Sequence, residues 1–268
     1  MTRQEFKRRV WEYYHARRRS LPWRKTRNPY RILVSEVMLQ QTQVDRVIDK
    51  YKEFITDFPS FTALARAPLR EILGVWQGLG YNRRALFLKQ IAQIIIQKYN
   101  GRLPQDNEVL KTLPGIGNAT AFAIAAFAFN KPVVFLETNI RALFIHSFFA
   151  DRCDVSDREI LPLIENTLDK INPREWYYAL MDYGAHIKKQ HKNPSRKSAR
   201  YIKQSPFKGS NREIRGMILK ELLKQGNAVT IDDLIARIGK DRGKILENLD
   251  KLVGERFIKK DKRGVMIQ

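Results

Sequence analysis

Apolar residues recur every three or four positions along most of the chain, which is the spacing of one face of an α-helix. Alternation of apolar and polar residues, typical of strands, is scarce before the last dozen residues. Prolines fall between most of the periodic segments, where they cost no helical hydrogen bond. The pattern predicts an all-α body with helices at residues 6–14, 32–54, 72–76, 85–99, 108–112, 119–129, 140–149, 160–171 and 176–187.

The C-terminal part of the chain is organised differently. Residues 188–211 contain no acidic residue and many lysines and arginines, which predicts a basic linker. Helical periods at 212–224, 231–238 and 244–256 then precede strand-like segments at 257–260 and 265–268. This order is typical of a winged helix-turn-helix, so we expect three parts, 1–187, 188–211 and 212–268. The third helix of the last part carries charges of both signs, so groove reading and protein packing both stay open for it.

The charge of the chain narrows the class of partner. Its 268 residues include 50 Lys and Arg against 28 Asp and Glu, a net charge of +22, which favours nucleic acid first and a membrane surface second. No apolar run approaches the roughly 18 residues of a membrane span, and residues 1–9 are unlike a signal peptide. We therefore expect a monomeric cytoplasmic protein, associated with the nucleoid and not with a membrane. Cys153 is the one cysteine, which excludes an intrachain disulfide and any metal site made of several thiolates.

A Pro-Gly turn joins two helical segments at residues 113–121. Gly115 and Gly117 permit backbone angles that are closed to other residues, and the helix that Asn118 and Thr120 open presents backbone N–H groups to a phosphate. Such a turn holds a DNA backbone without reading its bases. By itself, it fits an ordinary helix connection equally well.

Two carboxylates stand in apolar surroundings. Glu36 lies within an apolar helical segment, and Glu137 follows the apolar stretch 133–136. Burial would raise the pKa of Glu36 and let it hold a proton near neutrality, as a general acid must. A second buried acid suits the stabilisation of a positively charged sugar. The structural alternatives are a Glu36 that lies on the solvated face or forms a hydrogen bond in the core, and Thr138 or Asn139 as the cap of the next helix.

Taken together, these residues resemble the helix-hairpin-helix (HhH-GPD) DNA glycosylase superfamily, and within it the MutY adenine glycosylases, over residues 6–187. The resemblance rests on motifs that stand in the family's order and spacing: Leu21-Pro22-Trp23-Arg24, Pro29-Tyr30, 35–44, Phe58-Pro59, 76–81, Arg83-Arg84-Ala85, 113–117, Asn139 and 181–185. Such co-occurrence is far more specific than any one motif. It implies an all-α, two-lobed glycosylase fold, here followed by the small winged-helix domain.

The resemblance also implies roles for individual residues. Glu36 is the acid that protonates the purine, and Glu137, with Asn139 beside it, takes the position of the family's catalytic Asp. The DNA contacts are implied for Gln40, Gln41 and Tyr81, which probe or wedge the base stack, for Arg24 near the extruded base, for Leu113, Gly115, Gly117, Asn118 and Thr120 of the hairpin, and for Lys188, Lys189 and Lys192.

Four departures from the family pattern change the expectations. Glu137 is one methylene longer than Asp, which moves its carboxylate by about 1 Å. Ala119 stands where bifunctional relatives such as endonuclease III carry the Schiff-base lysine, so strong lyase activity is not expected. The four cysteines of an iron–sulfur cluster are replaced by the basic stretch 188–211, so no cofactor is expected. The winged helix stands in place of the family's domain for 8-oxoguanine.

The expected function is that of a monofunctional DNA N-glycosylase of base excision repair, acting on double-stranded DNA with a mismatch or a damaged base. It would flip out the mispaired base and hydrolyse its glycosidic bond without a metal. Glu36 favours a purine, hence adenine opposite G or 8-oxoguanine. A thymine or uracil mismatch glycosylase on the same fold is one alternative, and a catalytically silent protein that binds lesions or DNA structures is another.

Overall fold

The computed structural model describes all residues from 1 to 268. Contacts divide it into two compact units, each made of two chain segments: Met1–Glu36 with Pro104–Lys203, and Val37–Leu103 with Gln204–Gln268. The fold is helical with one small sheet, as the sequence predicts. No helix is both long and apolar enough to cross a membrane.

The first unit is built around an aromatic core. The ring of Phe6 lies 4.9 Å from that of Phe144 and meets Trp176 edge to face at 6.4 Å. All three side chains are fully buried. Its helices are α1 (Arg3–Arg17), most of α2 (Pro29–Leu39), α7 (Asn107–Lys111), α8 (Asn118–Phe129), α9 (Thr138–Phe148), α10 (Asp157–Thr167) and α11 (Pro173–Gln190), with 3₁₀ turns at Pro22–Lys25 and Pro194–Lys197.

The second unit combines four helices of the central region with the C-terminal elements. These are α3 (Val44–Asp57), α4 (Phe61–Arg66), α5 (Leu69–Trp76) and α6 (Arg83–Tyr99), then α12 (Asn211–Gln225), α13 (Ile231–Ile238), α14 (Arg242–Gly254), β1 (Ile258–Asp261) and β2 (Gly264–Ile267). The two parts join where Arg70 of α5 donates to the carbonyls of Leu222 and Leu223 at the end of α12.

The C-terminal elements form the winged-helix arrangement of three helices and a hairpin. Strand β1 pairs antiparallel with β2, with Ile258 opposite Ile267, and Val229 forms a further bridge to Val265. Gly264 has φ +129°, and a Cβ there would lie 2.1 Å from the carbonyl oxygen of Val229. The close approach of the wing to the segment before α13 therefore requires glycine.

The predicted helix at 32–54 is wrong in one respect, because it is interrupted. Helix α2 ends at Leu39 and α3 begins at Val44, with Gln41 in the left-handed region at φ +54°. Helix α4 was not predicted, and α10 stops at Thr167 instead of continuing to residue 171. The predicted domain boundaries at residues 187 and 211 stay predictions, because the two compact units divide the chain at other residues.

Candidate active site

Glu36 lies on α2 of the first unit and is half-buried. Burial, followed by the nearby charge of Glu137, raises the pKa of Glu36 to about 8, although the charge of Arg24 acts in the opposite direction. The ordinary value is 4.5. A carboxyl group with this pKa is protonated at neutral pH and is suited to general acid catalysis.

Glu137 is itself the N-cap of α9. Its Oε1 accepts hydrogen bonds from the backbone N–H groups of Asn139, at 2.8 Å, and Ile140, at 3.0 Å. The structural alternative, in which Thr138 or Asn139 caps this helix, is therefore wrong. Glu137 has an extended backbone, with φ −117° and ψ 175°, and its side chain folds back onto the first turn of α9. Burial raises the pKa of Glu137, and the two backbone hydrogen bonds oppose that rise.

The surroundings of Glu137 favour negative charge more than those of Glu36. The Nδ2 of Asn139 lies 3.4 Å from Oε2 of Glu137, and Nζ of Lys188 donates to Oδ1 of Asn139 at 3.2 Å. The charge of Lys188 also lowers the pKa of Glu137. Two interacting carboxyl groups in unequal surroundings separate their roles. This difference favours the proton on Glu36 and the negative charge on Glu137.

A glycine sets the spacing between α11 and the start of α9. A Cβ on Gly184 would lie 2.1 Å from the carbonyl oxygen of Asn139, so any side chain would displace the turn that holds Glu137. The same turn is held from the other side by Ser195, whose Oγ donates to the carbonyl of Thr138 at 3.2 Å. The sequence marks Gly184 through the 181–185 motif but gives no sign of Ser195.

Arg24, expected near the extruded base, is held in a buried ion pair. Its Nη1 and Nη2 donate to the two carboxylate oxygens of Asp182 at 2.7 and 2.8 Å, and the side chains are 8% and 1% exposed. Arg19 also pairs with Asp182, since its Nε donates to Oδ1 of Asp182 at 2.5 Å. The guanidinium of Arg24 lies 4.4 Å from the centre of the Tyr178 ring, and its Nε has no hydrogen-bond partner. Arg24 is thus a fixed positive charge whose field reaches Glu36.

The hairpin lies between α7 and α8. Leu113 and Ile116 are buried and anchor it, while Gly115, Gly117 and Asn118 are exposed. Gly115 has φ +73°, and Gly117 is the N-cap of α8 without a side-chain cap. The side chain of Leu113 therefore packs inward, and any contact to a phosphate comes from the backbone of the turn. Such an uncapped, exposed helix start is a suitable anion site.

The other predicted DNA-contacting residues lie in two places. In the first unit, Lys188 is in the last turn of α11 next to Asn139, whereas Lys189 and Lys192 are exposed. In the second unit, Gln40 and Gln41 form the turn after α2, and Tyr81, with φ +48°, precedes α6. Left-handed conformations of non-glycine residues are strained and cluster at functional sites.

Arg84, which the site prediction omitted, holds the two turns of the second unit. Burial lowers the pKa of Arg84 to about 10. Its guanidinium donates to the carbonyls of Val37 (2.9 Å), Met38 (2.7 Å), Gln40 (2.7 Å) and Gly80 (3.0 Å) and to Oγ1 of Thr42 (3.0 Å). These hydrogen bonds occupy the carbonyl groups at the end of α2, which explains why the helix stops before Gln40.

Comparisons with known proteins find similar sequences among DNA repair proteins. The HhH-GPD superfamily of base excision DNA repair proteins matches residues 34–163. The adenine DNA glycosylase of Buchnera aphidicola subsp. Baizongia pistaciae is 40% identical over 179 residues, 65% of this chain and 50% of that protein. The adenine DNA glycosylase of Rattus norvegicus is 35% identical over 194 residues, 68% of this chain and 38% of that protein. The chain thus spans about half the length, or less, of these relatives.

Solved structures show the same fold. A thermostable thymine-DNA glycosylase is 27% identical with a TM-score of 0.61, covering 68% of this chain and 86% of that one. A trapped covalent intermediate of endonuclease III with DNA is 23% identical with a TM-score of 0.59, covering 69% and 87%, and supports the fold alone. The chain belongs to the HhH-GPD superfamily, and its similarity to adenine DNA glycosylases makes it a MutY-like member.

Proposed function

We propose that this protein is a DNA glycosylase of base excision repair that removes adenine from DNA by hydrolysis. The observation that carries the proposal is the pair of interacting carboxyl groups, of which Glu36 is protonated near neutrality and Glu137 is held by backbone N–H groups. Curated relatives named adenine DNA glycosylase support the choice of base. The substrate is double-stranded DNA, in keeping with the net charge of +22.

The reaction begins with extrusion of the adenine nucleotide, since a base inside the stack is out of reach of any side chain. Glu36 gives its proton to adenine at N7. The bond from C1′ to N9 then breaks, its electron pair leaves with the base, and the sugar becomes an oxocarbenium-like cation. The Glu137 carboxylate stabilises this cation until water adds to C1′, and the water's proton returns to Glu36.

Glu137 serves this role in a different way from an aspartate at the same position. The side chain of Glu137 is one methylene longer than that of aspartate and folds back onto the first turn of α9. There the N–H groups of Asn139 and Ile140 fix its carboxylate. A carboxylate fixed in this way is preorganised and loses little entropy in the reaction. The same two bonds keep it ionised when a cation develops nearby.

Hydrolysis without strand cleavage and without a cofactor is the second part of the proposal. Ala119 at the hairpin provides no amine for a Schiff base, and Cys153 is the only thiol. Lys188 and Lys189 in the last turn of α11, and Lys192 just after that helix, carry the positive charge that holds the DNA backbone. The opposite base is G or 8-oxoguanine, and the protein acts as a monomer.

Base release from a set of labelled duplexes tests the proposal. The set carries A opposite 8-oxoguanine, A opposite G, T opposite G, U opposite G and matched pairs, and strand cleavage is read with and without alkali. We expect adenine release that needs alkali for strand cleavage. Release of thymine or uracil instead would assign the mismatch activity. Tight binding with no release from any duplex would make the protein a lesion binder.

A further inference from the structure

The chain that follows α11 is fixed to the body of the first unit. Residues 193–199 form a docked segment that packs against α9. Its buried residues are Pro194, Ser195 and Ser198. The backbone of Val155 forms a parallel bridge with that of Ser198 through hydrogen bonds of 2.9 and 3.0 Å. This part of the basic stretch is therefore more than a charged tether, because it has a defined position beside the helix that Glu137 caps.

Within the docked segment, Ser195 is held by its own turn and directed at α9. Its backbone N–H donates to Oδ1 of Asn193 at 3.2 Å, and this bond caps the 3₁₀ turn. Its Oγ donates to the carbonyl of Thr138, the first residue of α9, at 3.2 Å. The hydroxyl of Ser195 thus joins the docked segment to the residue directly after Glu137.

The hydrogen bond from Ser195 acts on the peptide group that holds the Glu137 carboxylate. The carbonyl of Thr138 and the N–H of Asn139 belong to one planar peptide group. That N–H donates to Oε1 of Glu137 at 2.8 Å. Hydrogen bonds in such a chain polarise one another, so a peptide group that accepts at its oxygen donates more strongly at its nitrogen, by roughly 10–30%. Ser195 therefore both orients and strengthens a donor to the carboxylate.

The next peptide group is supported in a different way. The N–H of Ile140 donates to the same Oε1 of Glu137 at 3.0 Å. The carbonyl of Asn139, at the other end of this peptide group, lies so close to Gly184 that a Cβ there would be 2.1 Å from its oxygen. Both donors to the carboxylate are thus supported from behind, one by a hydroxyl group and one by close packing. Only the hydroxyl can be removed without adding volume, by replacing Ser195 with alanine.

We propose that Ser195 is a positioning residue for base release, acting on the Glu137 carboxylate through the peptide group between Thr138 and Asn139. The inference rests on the proposed function, in which this carboxylate stabilises the sugar cation. Burial raises the pKa of Glu137, and the backbone hydrogen bonds from Asn139 and Ile140 lower it. Loss of the Ser195 hydroxyl weakens the first of these bonds, so it changes both the position of the carboxylate and its ionisation.

The test compares Ser195→Ala with Ser198→Ala in the full-length chain. Both serines are buried in the docked segment, at 3% and 8% exposure. The hydroxyl of Ser198 accepts from the N–H of Arg200 at 3.3 Å, so Ser198→Ala is the matched control. Single-turnover base release from a duplex with A opposite G, between pH 5 and 9, measures the chemical step. Fluorescence anisotropy measures affinity for the same duplex with a 2′-fluorinated adenosine, which resists cleavage.

We expect base release by Ser195→Ala to be about fivefold slower than native at pH 7.5, as for the loss of one hydrogen bond. The deficit should grow to about tenfold at pH 5, because weaker donation raises the pKa of Glu137 and more of it is protonated there. DNA affinity stays within about twofold of native, and Ser198→Ala matches the native protein in rate and affinity. An equal loss of rate in both variants, or a deficit in Ser195→Ala that is the same at every pH, overturns the proposal.

A second readout needs no catalysis and separates this inference from the proposed function. The amide protons of Asn139 and Ile140 donate to Glu137, so their NMR chemical shifts in the free protein follow the ionisation of that carboxyl group. We expect the titration midpoint at Asn139 to move to higher pH in Ser195→Ala and to stay native in Ser198→Ala. A moved midpoint without base release by the native chain would refute the proposed function alone. Base release by the native chain with an unmoved midpoint in Ser195→Ala would refute the role of Ser195 alone.

Discussion

Replacing Glu137 by Gln removes the negative charge that helps to keep Glu36 protonated. Glu36 has a pKa of about 8 because of burial first and the charge of Glu137 second. At pH 7 roughly nine-tenths of such a group is protonated, against less than about 1% for a carboxyl group with the ordinary value of 4.5. Base release by the native protein should therefore fall by half near pH 8 and by about tenfold near pH 9.

The Glu137→Gln variant should show two separate effects. Loss of the carboxylate that stabilises the sugar cation lowers the maximum rate, by about 10²-fold or more. Loss of its charge lowers the pKa of Glu36, so the alkaline fall in activity moves to lower pH. The assay is kcat/KM for base release between pH 5 and 10, which reports the free enzyme. Glu165→Gln, an exposed carboxylate of the same unit, is the matched control and should leave the profile unchanged.

Two results would refute this reasoning. A native profile that is flat from pH 7 to 9 would show that no group with the pKa assigned to Glu36 gives the proton. A slower Glu137→Gln variant with the native alkaline limb would show that the two carboxyl groups do not interact. The second result would leave Glu137 in the reaction but would remove its influence on Glu36.

Three further substitutions and one pH dependence follow from the same contacts. Gly184→Ala places a methyl group against the carbonyl of Asn139, so both the melting temperature and base release should fall; a native melting curve would contradict the close approach. Asp182→Asn leaves Arg24 and Arg19 without their shared carboxylate and should lower the free energy of unfolding in urea by about 3–5 kcal/mol; a loss below about 1 kcal/mol would refute a structural ion pair. Arg84→Met leaves the carbonyls at the end of α2 without their donor. It should lower the free energy of unfolding by about 3 kcal/mol and weaken DNA binding; unaltered binding would show that the two turns held by Arg84 do not contact DNA. Between pH 4.5 and 8, Glu36 is ionised in the unfolded chain but protonated in the folded protein, so the free energy of unfolding falls as pH rises. Glu36→Gln should therefore gain stability relative to the native chain over that interval. A difference in melting temperature between the two proteins that stays constant with pH would argue against burial of the charge.

The sequence predicted the parts of the fold that depend on local pattern. Helical period and proline positions gave most helices of both units, and the charge and turn pattern after residue 211 gave the winged-helix elements. The break after Leu39 escaped it because its cause is distant: Arg84, more than forty residues further along the chain, takes the carbonyls that end α2. Local periodicity contains no trace of such a bond.

The same limit applies to the candidate site. Motif spacing singled out Glu36 and Glu137, but the capping role of Glu137 depends on how its side chain folds back, which spacing does not define. Asp182 stood within a motif, yet its pairing with Arg24 joins residues 158 positions apart.

Release of adenine from a duplex with A opposite G, by the native protein and by Glu36→Gln side by side, tests the central claim most directly. A single-turnover experiment at pH 7 with protein in excess measures the chemical step. We expect release by the native protein and a loss of about 10²-fold or more in Glu36→Gln, with DNA affinity within about threefold of native. Equal release by both proteins would contradict the assignment of Glu36 as the acid and with it the proposed mechanism.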